Sequence, residues 1–125
     1  MRFISRYCGV DPQSDGFVDL TPQIQEVVDE AGIHAGRVTV SSTRPDCFLL
    51  INENESGLRK DFARLWQRSF AEVQSGPGIA HSSVVLPIIK GTLWTGAWQR
   101  VLAFVTDKHT STEGVVIQAW GIDPE

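Results

Sequence analysis

The chain has 125 residues, 42% of them hydrophobic and 21% charged, and carries a net charge of -4 at neutral pH. That length fits one domain spanning 1–125, able to bury a core without staples, and the absence of a basic block argues against nucleic acid as a partner. No apolar stretch approaches membrane-spanning length and no signal peptide opens the chain, so a cytoplasmic protein with no membrane partner is expected.

Residues 1–10 carry a β-leaning run, Phe3 to Cys8, and Asp11-Pro12-Gln13-Ser14-Asp15-Gly16 has the composition of a turn. A short strand, Phe17 to Leu20, follows. Thr21-Pro22 predicts a helix start, with Thr21 as N-cap and Pro22 at the first helical position. Ile24, Val27, Val28 and Ala31 fall on one helical face, and Gly32 supplies the stop. Alternation from Gly36 to Thr43, with Val38 and Val40 on one side, predicts a half-buried strand. Arg44-Pro45-Asp46 interrupts it, because proline cannot donate to a ladder.

Cys47 to Ile51 reads as a buried strand that stops abruptly at Asn52-Glu53-Asn54-Glu55. Ser56 then opens an amphipathic helix whose apolar stripe is Leu58, Phe62, Leu65, Trp66, Phe70 and Val73. Gly76-Pro77-Gly78 ends it. His81 to Ile89, Thr92 to Thr95, Ala97 to Thr106 and Val115 to Trp120 read as strands, with Lys90-Gly91 a tight hairpin turn. The tail from Gly121 is expected to fray. Helices gathered in the first half and hairpins in the second predict an α+β sandwich of mainly antiparallel strands with two helices.

The residues with chemical potential cluster at the strand end. In extended backbone Glu53 and Glu55 would share one face, opposite Asn52 and Asn54. Two carboxylates beside a helix start can do acid–base work or bind a cation, or simply complement the helix dipole. Gly96-Ala97-Trp98-Gln99 could offer an indole and an amide to a ligand, or could be a strand bend. Arg44 could hold an anion through its planar fork, or pair with Asp46. His34, His81 and His109 have no ligand spacing, so no metal and no cofactor are expected. Cys8 and Cys47 form no CxxC pair and read as free thiols.

Several stretches together resemble the YjbQ-like family, described as secondary thiamine-phosphate synthases. They are Val18-Asp19-Leu20-Thr21, Gly36-Arg37-Val38-Thr39-Val40 and Ile51-Asn52-Glu53-Asn54-Glu55, with Pro87, Gly91, Leu93, Gly96, Trp98 and Gln99 behind them. The resemblance implies the family's α+β fold and a homotrimer with pockets near subunit interfaces, for which Trp94 and Trp120 are interface candidates. It departs at Arg44-Pro45-Asp46-Cys47-Phe48, where the family has a His-Thr-Thr-Ala-Ala run. The segment before Pro87 is also short, and His81 lies too close to Pro87 for the family's motif histidine. The expectation is therefore a divergent member that binds a small anionic ligand at a site organised by Arg44 instead of a metal. Asp46, Asn52, Asn54, Trp98 and Gln99 would help bind, with Glu53 and Glu55 as the candidate catalytic groups. The alternative is an active thiamine-phosphate synthase-like transferase, its divalent cation held by Glu53, Glu55 and Asp46.

Overall fold

The computed structural model describes residues 1–44, 46–69, 83–106 and 114–123. In chain order its elements are β1 (Arg2–Gly9), β2 (Phe17–Asp19), α1 (Thr21–Ala31), β3 (Ala35–Ser42), β4 (Cys47–Glu53), α2 (Ser56–Ser69), β5 (Ser83–Ile89), β6 (Thr92–Leu93), β7 (Gln99–Val105) and β8 (Gly114–Ile122). His81, His109, Phe70, Val73 and the expected Gly76-Pro77-Gly78 stop lie outside the described residues.

The strands form two antiparallel sheets, one of five strands in the order β1-β8-β3-β5-β6 and one of three in the order β2-β7-β4. Alternation decides what each buries. Val38, Val40, Leu86, Ile88, Ile117 and Ala119 from the large sheet meet Leu49, Val101, Ala103 and Val105 from the small one, with α1 completing the same core. The other face of the small sheet presents Phe17, Phe48, Leu102 and Phe104, which are covered by Phe62, Ala63 and Trp66 of α2. The layers therefore run large sheet, small sheet with α1, then α2.

Helix α1 buries the apolar face the spacing predicts: Ile24, Val27, Val28 and Ala31. It ends at Gly32, whose φ of 66° is a left-handed conformation that costs glycine little. The start differs from expectation. Leu20 is the cap residue and makes no side-chain capping bond. The Thr21 hydroxyl instead accepts the Val101 N–H at 2.8 Å, while Asp19 Oδ1 accepts the Thr21 N–H at 2.9 Å. Gln25 ties α1 to the β5–β6 hairpin, its Nε2 donating to the Gly91 carbonyl at 2.9 Å and its Oε1 accepting the Leu93 N–H at 3.0 Å. That hairpin turns through Lys90 and Gly91, both at positive φ, as a two-residue loop between twisted strands favours.

Two other expectations are corrected. The tail does not fray at Gly121, because Gly121 and Ile122 pair with Gly36 and Ala35 and extend β8. The stripe proposed for α2 is too wide. Phe62 and Trp66 pack on the small sheet, but Leu58 and Leu65 are exposed, since α2 has only one sheet face to cover. Among the described residues no helix is long and apolar enough to cross a membrane.

Candidate functional site

Strand β4 runs two residues past the predicted apolar stop. Asn52 and Glu53 are held in register by Arg100 and Gln99 of β7. The strand ends at Glu53, so the alternation that would have set Glu53 and Glu55 on one face ends there too. Asn54 and Glu55 form the connection to α2, and the chain turns back on itself.

That turn uses Glu55 completely. Its two carboxylate oxygens accept the N–H groups of Gly57 at 2.8 Å and Leu58 at 2.9 Å. These are among the amides a helix start leaves without intrahelical partners. The helix is therefore capped by Glu55, not by Ser56. The two backbone N–H bonds hold the Glu55 carboxyl below the usual carboxylate range, with the Ser56 hydroxyl and the Arg59 charge adding to them. Glu53 is different. Its backbone N–H is taken by Asn52 Oδ1 at 2.8 Å, but its exposed carboxylate makes no hydrogen bond or ion pair among the described residues.

Opposite Glu53 lies the turn Gly96-Ala97-Trp98-Gln99. The Gln99 N–H donates to the Gly96 carbonyl at 3.0 Å and the Gly96 N–H donates to Gln99 Oε1 at 3.0 Å. A side chain at position 96 would meet Gln99 Oε1 at 2.6 Å, so glycine is what lets Gln99 fold back over the turn. Trp98 occupies a position with φ of 69°, which a bulky residue adopts at a cost of roughly 1–2 kcal/mol. Its indole is 81% exposed. Glu53, Asn54, Glu55, Trp98 and Arg100 line one open cavity of about 380 Å³.

A second open cavity, of about 530 Å³, adjoins it and shares Asn54. It is lined by Gln13, Ser14, Asp15, Asp19 and Arg59 with the flank of β2. Two ion pairs organise the groove. Arg100 Nε donates to Asp19 Oδ2 at 2.7 Å, a diagonal pair on neighbouring strands, and Arg59 Nε donates to Asp15 Oδ2 at 2.9 Å. Arg59 Nη1 also donates to Asn54 Oδ1. Asp15, Asp19, Arg59 and Arg100 are groove residues that no local sequence motif marks as such. The available signals were that Arg59 lies one helical turn beyond Glu55 and that Arg100 directly follows Trp98-Gln99.

Arg44 and Asp46 are not brought to this groove within one chain. They precede β4, and Glu53 ends it. A strand of seven residues separates them by about 20 Å at 3.3 Å per residue. Arg44 is 8% exposed, and its fork is bidentate on Asp46, with Nε–Oδ1 at 2.9 Å and Nη2–Oδ2 at 2.6 Å. The Arg44 carbonyl accepts the Ser42 hydroxyl at 2.9 Å, and the Asp46 carbonyl accepts the Thr106 N–H at 2.9 Å. This pair closes the β3–β4 turn. A cation site built from Glu53, Glu55 and Asp46 is likewise not assembled within the chain, because Glu55 caps α2 and Asp46 stands at the far end of β4. Burial pushes both the Cys8 and Cys47 thiols up, away from the reactive thiolate form.

The family model described as UPF0047 protein YjbQ-like matches residues 7–122. The chain belongs to the YjbQ/UPF0047 family. A UPF0047 protein of Archaeoglobus fulgidus is 29% identical over 119 residues, covering 82% of this chain and 89% of the relative. Among solved structures, a protein of unknown function from Sulfolobus solfataricus, described as YbjQ-like, matches with a TM-score of 0.80 at 20% identity, over 96% of this chain and 98% of that one. A hypothetical protein from Aeropyrum pernix matches with a TM-score of 0.72 at 20% identity, over 99% and 100% of the two chains. These likenesses establish the YjbQ-like α+β fold, and the matched segment contains every residue of the groove.

Proposed function

We propose that this YjbQ-family chain is a small-ligand-binding protein acting as a homotrimer, its binding site being the groove between the end of β4, the start of α2 and the Gly96–Gln99 turn. One observation carries the reading: residues from two segments far apart in the chain, Glu53 to Glu55 and Trp98 with Arg100, converge on one open cavity. There an exposed carboxylate and an exposed tryptophan make no side-chain hydrogen bond or ion pair among the described residues. Such convergence of a few polar groups on an apolar surface is how ligand sites are generally built. The trimeric number rests on the family resemblance. Self-association is supported by the outer face of the large sheet, where Phe3, Tyr7 and Val85 are exposed.

Arg44 supports a structural role instead of an anion site, since its fork is committed to Asp46. Titrate a library of small polar metabolites against the wild type, following the Trp98 indole resonance. A ligand that shifts this resonance should bind at least tenfold more weakly to Trp98→Ala when the affinities of wild type and variants are measured by calorimetry. Arg44→Met should lower stability by about 2 kcal/mol, less than a fully buried pair because Asp46 remains partly open, yet leave the ligand titration unchanged. A ligand lost in Arg44→Met but retained in Trp98→Ala would refute the assignment.

A further inference from the structure

The groove has a definite electrostatic character, and its chemistry selects a class of ligand. The two cavities are lined by four carboxylates, those of Asp15, Asp19, Glu53 and Glu55, and by two guanidinium groups, those of Arg59 and Arg100. Both guanidinium groups are already paired, Arg59 with Asp15 and Arg100 with Asp19. Glu55 faces the positive end of α2 and spends its oxygens on backbone amides. Glu53 is the acid left over. It has no compensating cation among the described residues and stands in register with Gln99, the neighbour of Trp98.

Trp98 supplies the other half. It is the most exposed tryptophan of those described, and its backbone sits in a tight turn that Gly96 and Gln99 close through two hydrogen bonds. An indole face attracts a cation, and a neighbouring carboxylate attracts the same cation. An anion entering here would meet Glu53 and would have to displace Asp15 or Asp19 from its arginine. The chain's net charge of -4 adds a long-range field of the same sign.

We infer that the groove takes a small organic cation with a flat ring, its positive charge between the Glu53 carboxylate and the Trp98 indole. This deepens the binding assignment above and rests on it. Three matched probes test it on the full-length protein: 1-methylquinolinium, neutral quinoline and 1-naphthoate. Binding is read from the Trp98 indole resonance, identified by its disappearance in Trp98→Phe. The cation is expected to bind tightest. Its affinity should fall about three- to tenfold in Glu53→Gln and fall further with added salt, whereas quinoline should bind equally to wild type and Glu53→Gln. Tighter binding of 1-naphthoate at the same resonance would overturn the cation inference while leaving the site in place. If none of the three probes moves the resonance, the site and the inference fail together.

Discussion

The Glu55 carboxylate is held below its ordinary range chiefly by the Gly57 and Leu58 amides, and this makes a single residue's role testable by pH. A carboxyl whose folded-state pKa is depressed stabilises the fold at pH values above its unfolded-state pKa. The contribution is lost as pH falls through the folded-state value. Glu55→Gln should therefore lower the thermal midpoint at neutral pH, and the gap from wild type should close as the solution is acidified below the usual glutamate range. Melts across a pH series measure it. A gap that stays constant with pH would mean that the cap works through geometry alone and not through charge. The same residue explains why a pair of glutamates two positions apart is a poor guide to a two-carboxylate site. Glu53 and Glu55 share a face only while the strand continues, and here the strand ends between them.

At the scale of elements, α2 is held by one aromatic layer. Trp66 stacks near Phe48 and Phe104, at centroid separations of 4.8 and 5.8 Å, and Phe62 meets Phe17 and Phe104 at 5.9 and 5.2 Å. Trp66→Ala should cost about 2–3 kcal/mol, below the fully buried range because the indole is half-buried, while Leu65→Ala should change stability by less than about 0.5 kcal/mol. Urea unfolding of the two variants measures the contrast; equal losses would mean that Leu65 is covered in solution. Which elements form was readable in the sequence. The α1 face of Ile24, Val27, Val28 and Ala31 and the β3 alternation of Val38 and Val40 follow from local periodicity, which one burying surface each suffices to realise. The end of β4 was not readable, since Asn52 and Glu53 are drawn into the strand by Arg100 and Gln99, partners nearly fifty positions away. Arg44 and the end of β4 stand apart within one chain for a reason already present in the sequence: the extended strand β4 lies between them. No local motif marks Arg59 and Arg100, because their pairing with Asp15 and Asp19 is purely tertiary.

For the whole molecule, the proposed homotrimer requires a surface that another copy can cover. The inner face of the large sheet is filled by the small sheet and α1, but no element among the described residues lies over its outer face. Register aligns that outer face in rows: Phe3, Trp120, Arg37 and Pro87 in one, Ser5, Gln118, Thr39 and Val85 in the next, Tyr7, Val116, Ser41 and Ser83 in a third. Arg37 lies over the Trp120 ring at 4.5 Å, shielding part of it, yet Tyr7 remains 82% exposed. A soluble monomer rarely leaves so much aromatic surface on one sheet. Two modes of self-association compete. Copies could pack face to face over these rows, or they could pair along β1, an edge strand of eight residues whose outer side pairs with no strand among the described residues. Thr39 separates the two, because it points outward from β3, the middle strand of the five, far from the β1 edge. Thr39→Glu should leave each chain folded, since the side chain sits on the outer face, and should convert the oligomer to monomer if the faces pack. Light scattering with circular dichroism reads both properties. An unchanged oligomer in Thr39→Glu would assign association to the β1 edge instead.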